Sequence, residues 1–370
     1  MKIALYDVTC TMSYGGIQSF VWGMADALAR RGETVHLFGG KGTIRGSAHN
    51  GVLVFTFPYL SRARIPNWGS RFRKFVERFS FGLWAFKTLT KGRYDIIYIH
   101  KPFDLPIALA AGRLSGARIV FGSGGTEFFP GYGRLVKRLD LFLACSAFNA
   151  SQIEAYCGIR PEVLYNGVDS VLFKPQPPDP ELSRRLRSDR SEKVIITVCR
   201  LVSLKGLQYA IEAVAVLARK FKIKYLILGD GAYRKNLEDK IDRLGLNKEI
   251  VFVGAVPNRE LPRYYSVADV GVFPTIAEEA FGISIAEAMA CAVPVVATRV
   301  GGVPEVAPEG TGVLVSPKDP KALAGAIEAL LLDDRLRKKV GDEGRAWVVK
   351  NFSWESVAAE FVRKAAGRVR

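Results

Sequence analysis

Glu279 and Glu287 stand eight residues apart in a stretch that reads as a strand ending at Pro274, a loop, and a helix opening near Gly282. A carboxylate accepts well from a pair of vicinal hydroxyls, so two at this spacing suit a ligand that carries two sugars. A nucleoside diphosphate sugar is such a ligand, with a hexose at one end and a ribose at the other. The backbone amides at Phe281, Gly282, Ile283 and Ser284 fall at the helix start, where they lack internal partners and can hold phosphate or sugar hydroxyls. A second stretch, from Val198 to Gly206, reads as strand, loop and helix start. Arg200 offers a planar fork of donors there, and Lys205 a compact charge, a pair able to neutralise a pyrophosphate. No D-x-D or other metal-ligand cluster occurs in the sequence, so cationic side chains and helix ends are expected to stabilise a departing diphosphate. Gly15 and Gly16 follow the first strand-like run and let backbone approach a ligand ahead of a helix N-terminus. They do not form G-x-G-x-x-G, and no acidic residue follows the second strand as a dinucleotide site would require.

These residues need rigid elements behind them. Strand-like runs at 3–8, 34–39, 52–57, 95–99, 118–121, 140–145 and 163–165 alternate with helical patterns, which argues for a parallel sheet with crossover helices. The segment 174–180 holds four prolines at Pro175, Pro177, Pro178 and Pro180 without hydrophobic period and reads as a linker. A second series follows, with strands at 194–199, 225–228, 250–253, 270–273 and 293–297 and helices at about 206–220 and 232–244. The expected architecture is α/β, with two Rossmann-like doubly wound domains facing across a cleft. Their bounds are 1–173 and 174–353, and a last helix in 354–370 packs back on the first domain. Ligand sites of such sheets lie at the carboxyl ends of the strands, where all the residues above fall.

Two domains also agree with 370 residues at roughly 100–200 per domain. The five cysteines are scattered through apolar runs without a C-x-x-C pair, and with three histidines in the chain a zinc site is not expected; reduced thiols point to the cytosol. The N-terminal apolar run is broken by Asp7 and reads as a first strand, not a signal peptide. No uncharged apolar run reaches the roughly 18 residues of a membrane span. The net charge is +17, and residues 1–175 hold 22 Lys and Arg against 11 Asp and Glu. That excess suits an anionic partner such as phosphate or an acidic lipid surface. Nucleic acid is not expected, since no recognised binding module is present.

Taken together, the motifs resemble those of glycosyltransferase family 4. They are Glu279-x7-Glu287 with Phe281-Gly282 and Ala288-Met289-Ala290, Arg200-Leu201-x3-Lys205-Gly206, Asn166-Gly167-Val168-Asp169, Gly229-Asp230-Gly231, Ala268-Asp269-Val270, and Pro294 to Thr298 followed by Gly301-Gly302-Val303-Pro304-Glu305. Their order and spacing run from Gly15 to Gly312. The resemblance implies the GT-B fold and a retaining, metal-independent hexosyl transfer from a nucleoside diphosphate sugar, with no cofactor. Arg200 and Lys205 would then bind the diphosphate, Glu279 and the backbone from Phe281 to Ser284 the donor sugar and phosphate, Glu287 the ribose, and Gly15 and Gly16 the phosphate side of the cleft. Glu279, Arg200 and Lys205 would carry catalysis. One departure stands out: the family usually has a His-Gly after the fifth strand, and Gly124 occupies the histidine's place. His100, Gly124 and Glu127 are therefore candidates for donor-sugar or acceptor contacts, with Glu127 also readable as a helix cap and His100 as a satisfied residue at a strand end.

The acceptor expected from the resemblance is a sugar, lipid or lipid-linked hydroxyl. In 66–91, Trp68, Phe72, Phe75, Phe79, Leu83 and Phe86 recur at helical steps among Arg71, Arg73, Lys74, Arg78 and Lys87. The stripe reads either as core or as an interfacial helix on the inner face of an anionic membrane. Rival functions are a nucleotide-sugar epimerase of the same architecture and a non-catalytic nucleotide-sugar or membrane-binding protein. The paired carboxylates and cations favour the transferase.

Overall fold

The structure, a computed structural model, describes residues 1–12, 16–42, 51–187, 189 and 191–367. The chain divides into two units, Met1–Gly167 with Trp354–Arg370, and Val168–Ser353. The change of unit thus falls ahead of the proline-dense segment. The Val168 N–H donates to the Phe352 carbonyl at 2.7 Å and the Phe173 ring meets Tyr265 edge-on, which ties 168–173 to the second unit.

The first unit contains β1 (Lys2–Tyr6), α1 (Gly16–Arg30), β2 (Thr34–Gly40), β3 (Val52–Phe57), α2 (Ser70–Lys91), β4 (Ile96–Ile99), α3 (Leu105–Ser115), β5 (Arg118–Ser123), α4 (Tyr132–Val136), β6 (Leu141–Ala144), α5 (Ala147–Cys157) and β7 (Glu162–Val163). Its sheet runs β3-β2-β1-β4-β5-β6-β7 with every pairing parallel. Central strands such as β4, Ile-Ile-Tyr-Ile, are buried along their whole length, as helices on both faces of a parallel sheet require. The second unit holds α6 (Pro180–Leu186), β8 (Lys193–Val198), α7 (Leu207–Leu217), β9 (Ile223–Leu228), α8 (Arg234–Leu244), β10 (Ile250–Gly254), α9 (Leu261–Tyr265), β11 (Val270–Phe273), α10 (Ile283–Ala290), β12 (Val295–Thr298), α11 (Val303–Val306), β13 (Val313–Val315), α12 (Pro320–Leu332) and α13 (Asp334–Phe352). Its sheet runs β10-β9-β8-β11-β12-β13, again parallel throughout. Both are doubly wound Rossmann-like sheets. The strand expected at 293–297 begins at Val295 because Pro294 has no N–H for the ladder, and β13 was not anticipated.

The last helix, α14 (Trp354–Ala366), joins the first unit against α1. Its Trp354 ring fills the space beside Gly23 and Gly167, where any Cβ would overlap it.

Helix α2 corrects the core reading of the aromatic stripe. The face that enters the core carries Phe81, Ala85 and Leu89 together with Glu77 and Arg78. Trp68, Phe72, Phe75 and Leu83 are exposed, and Phe79 and Phe86 half-buried. Arg78 fixes this register. It is 3% exposed and donates to Asp104 at 2.5 Å and to Asp7 at 2.6 Å, both carboxylates fully buried. A buried guanidinium flanked this way holds the helix rotation, since turning it would strand three charges.

Candidate functional site

In the second unit the strand order reverses between β8 and β11, adjacent strands of the sheet. Crevices outside the carboxyl ends of the strands at such a point are where these sheets bind ligands. The loop after β8 carries Arg200 and Lys205, and the loop after β11 carries Glu279. Backbone stitches them: the Ile276 N–H donates to the Leu204 carbonyl at 2.9 Å, and the Thr275 hydroxyl to the same oxygen at 3.0 Å. Gly206 makes this approach feasible. It sits at φ +70°, and an added Cβ would run into the Pro274 carbonyl. The result is that Lys205 Nζ donates to the Glu279 carboxylate, both side chains about a quarter exposed at 24% and 27%. From the other side, the Gly302 N–H donates to the Glu279 carbonyl at 2.7 Å, and Gly301 at φ +55° lies where a Cβ would overlap Glu279 backbone. Arg200 lies exposed on the Lys205 loop.

Helix α10 opens directly after this pair, with Gly282 as its cap. Phe281 is buried edge-on against Phe352 at 5.1 Å and pins the helix start. The amides of Ile283 and Ser284 stand in the first turn, where no intrahelical acceptor reaches them. Glu287 lies farther along, 8% exposed, and accepts from Asn258 Nδ2 at 2.9 Å. Burial pushes its carboxyl up to about 7, with the Asn258 bond pulling the other way. A ligand that brings hydroxyl donors to this carboxyl restores its charge.

The first unit reverses its strand order between β1 and β4. His100 follows β4, buried, its ring stacked on Phe20 at 4.8 Å and its Nδ1 3.4 Å from the Tyr98 hydroxyl. Burial holds it down at about 4, so the imidazole is neutral at pH 7. Its Nε2 faces Gly124, 3.1 Å from where a Cβ would stand. Glu127 is not a helix cap: it accepts from Lys74 at 2.5 Å and from Lys101 at 2.7 Å. Against partial burial, which would raise it, those two bonds hold its carboxyl down at about 2. Gly15 lies outside the described residues, and Gly16 opens α1.

Each unit thus gathers cations, carboxylates and a helix start at the strand ends of a parallel sheet. The pattern of glycosyl transferases group 1 matches residues 178–347, and that of Glycosyltransferase Family 4 matches residues 14–171. A GDP-mannose-dependent alpha-(1-6)-phosphatidylinositol monomannoside mannosyltransferase of Mycolicibacterium smegmatis is 30% identical over 384 residues, 96% of this chain and 95% of that protein. The chain belongs to glycosyltransferase family 4. A D-inositol 3-phosphate glycosyltransferase of Segniliparus rotundus is 28% identical, spanning 93% of this chain and 82% of its own. Sucrose-phosphate synthase of Thermosynechococcus elongatus superposes with a TM-score of 0.82 at 23% identity, covering 99% and 98% of the two chains. A protein of Anabaena in complex with UDP gives 0.79 at 23% identity, covering 99% and 100%. These two likenesses establish the GT-B fold. The chain is therefore a glycosyltransferase that uses a nucleotide sugar.

Of the residues singled out from the sequence of this glycosyltransferase, the structure joins Lys205 to Glu279 and sets the Phe281–Ser284 backbone immediately after them. Glu287 stands apart from that pair, buried with Asn258. His100 and Gly124 are neighbours, and Glu127 is linked to His100's loop through Lys101. Sequence reasoning missed Asn258 and Lys101, and named Lys74 only among the cations of 66–91, not as a partner of Glu127. Lys101 carries a readable signal, standing next to His100 at a strand end. Asn258 carries none, because it lies 29 positions from the carboxylate it serves.

Proposed function

We propose that this glycosyltransferase is a retaining, metal-independent hexosyltransferase. It would move a hexose from a nucleoside diphosphate sugar to a hydroxyl of a phosphate-bearing or lipid-linked polyol acceptor. The observation that carries the reading is the Lys205–Glu279 pair at the strand reversal, directly ahead of the α10 start. Arriving diphosphate offers Lys205 a more highly charged partner, and Arg200 and the first-turn amides complete its cradle. Glu279, released from Lys205, then accepts from hydroxyls of the hexose, and Glu287 from those of the ribose. The bond from the anomeric carbon to the diphosphate oxygen breaks as the acceptor oxygen bonds that carbon on the same face, and the acceptor proton passes to the departing diphosphate oxygen. No side-chain base is needed for this. Lys205, Arg200 and the amides lower the barrier by meeting the charge that grows on the diphosphate.

The acceptor class rests on the relatives whose names specify phosphatidylinositol monomannoside and inositol 3-phosphate. Lys101, next to His100 in the chain, and Lys74, both half-buried and both bonded to Glu127, give the first unit cationic donors suited to such a phosphate.

Thermal-shift screening against GDP, UDP and ADP sugars, followed by NMR of the product's anomeric configuration, tests the reading. A donor that raises the melting temperature and yields product with the donor's configuration supports it. An inverted product rules out retention, and donor binding without transfer or donor hydrolysis supports a binding protein instead. Activity is expected to survive EDTA; complete loss restored by magnesium or manganese would overturn the metal-independent part.

A further inference from the structure

Helix α2 leaves a long apolar face without a partner among the described residues. Trp68 is 75% exposed, Phe72 38%, Phe75 37% and Leu83 59%. At 100° per residue Phe72, Phe75, Phe79 and Leu83 fall on one side of the helix, and Trp68 lies just ahead of its first residue, Ser70. Two ring pairs line this face: Trp68 meets Phe72 at 5.3 Å between centroids, and Phe75 stacks on Phe79 at 5.5 Å. The face has no route inward, because Arg78 is locked between Asp7 and Asp104 and the opposite side of the helix is packed through Phe81, Ala85 and Leu89. Exposed apolar surface of this extent on a basic chain calls for an occupant.

We propose that this face is the surface by which the enzyme docks on an anionic bilayer. The charge beside it selects the occupant. Arg71, exposed, and Arg73, half-buried, flank Phe72 in the chain, and Arg64 is exposed four residues before Trp68, the arrangement of an interfacial helix whose rings enter the lipid while its cations remain among acidic headgroups. A second copy of the chain would bring the same arginines against each other around the apolar patch, which opposes self-association. Another side of the same helix reaches the candidate acceptor region. Lys74, one residue before Phe75, bonds Glu127, which bonds Lys101 beside His100. A lipid-linked acceptor would thus reach the strand ends of the first unit while its chains stay in the bilayer. The lipid acceptor rests on the reading above, whereas docking itself does not.

Flotation with vesicles of phosphatidylglycerol and phosphatidylcholine, against phosphatidylcholine alone, tests the inference. The protein should float with the acidic vesicles and be partly released by salt, since headgroup attraction fades over a Debye length of about 8–10 Å. Replacing Trp68, Phe72 and Phe75 with Ser should lower the bound fraction about tenfold. The double change Arg71→Ser and Arg73→Ser should lower it about tenfold and remove most of the salt dependence. Trp84→Ser is the control: this residue is 63% exposed but half a turn away from Phe75, and its loss should leave flotation unchanged. Unaltered flotation of the aromatic variant would overturn the proposal. So would light scattering that shows a dimer for the unaltered chain and a monomer for the aromatic variant. Calorimetry with GDP and UDP on the same proteins reads the donor site separately, so a failure of docking leaves the transferase reading intact.

Discussion

At the scale of single residues, the proposed division of labour between the two glutamates rests on their different surroundings. Glu279 is partly exposed and already faces a cation, whereas Glu287 is buried with one amide donor. Glu279→Ala should lower kcat by about 10²–10³. It should leave nucleoside diphosphate affinity unchanged or slightly improved, because Lys205 is freed for phosphate. Glu287→Ala should instead weaken nucleoside diphosphate by about tenfold, near 1.4 kcal/mol. Calorimetry with the free diphosphates separates them, and equal losses in both variants would sink the division. A pH dependence follows from the same burial. Glu287 titrates near 7 in the empty protein, above its ordinary 4.5, so the folded state holds the extra proton between those values. Its contribution to stability is present below about 4.5 and is lost as pH rises through about 7. If the carboxylate accepts from ribose hydroxyls as proposed, nucleotide binding runs the opposite way, because below 7 a proton must leave first. Affinity should fall as pH drops below about 7, by up to about tenfold per unit, and Glu287→Gln should abolish that slope. The phosphate's own titration is shared by both proteins, so the difference between their calorimetric profiles isolates the residue. The carboxylate spacing was legible in the sequence. Its electrostatic setting was not, because it depends on Asn258 from another loop and on burial that no local pattern encodes.

At the scale of elements, the parallel strands were legible because sheets buried on both faces leave continuous apolar runs, as in β4 and β9. So was the strand, loop and helix start from Val198 to Gly206 that carries Lys205, whereas the close approach of two backbones at Gly206 was not. Helix α2 was legible as a helix but not in its rotation. Two apolar stripes compete there, Phe72-Phe75-Phe79-Leu83 and Phe81-Ala85-Leu89, and hydrophobic period alone ranks the more aromatic one inward. The decision lies with Arg78, whose partners Asp7 and Asp104 stand 71 and 26 positions away. Removing it tests that account. Arg78→Leu leaves two buried carboxylates without their cation, one of which, Asp104, burial already pushes up to about 7. A loss of about 3–5 kcal/mol is expected, read by urea denaturation. Adding Asp7→Asn and Asp104→Asn to Arg78→Leu should recover part of it by removing the stranded charges. A loss below about 1 kcal/mol in the single variant would show that apolar packing, not the ion triad, sets the helix rotation.

At the scale of the whole molecule, the chain begins and ends in the same unit. The first unit is completed only by α14, so its core depends on residues that follow the whole second unit in the chain. Trp354 is the contact that matters most: 7% exposed, it lies where Gly23 of α1 and Gly167 leave room for no Cβ, and its edge meets Phe20 at 5.5 Å. Phe20 in turn stacks on His100, so the closing helix also supports the strand ends where the candidate acceptor residues lie. The helical period of the last segment showed that it packs somewhere. Its partner was suggested by the two-domain architecture, whereas the glycines that receive the indole lie over 180 positions upstream and give no local sign of it. Trp354→Ala should cost about 3–5 kcal/mol through the cavity it leaves. Hydrogen exchange locates the damage: amides of α1 and β4 should exchange faster, with those of β8 and α10 unchanged, because local openings follow cooperative units. Equal acceleration in both units would mean that α14 supports the chain as a whole and not the first unit in particular.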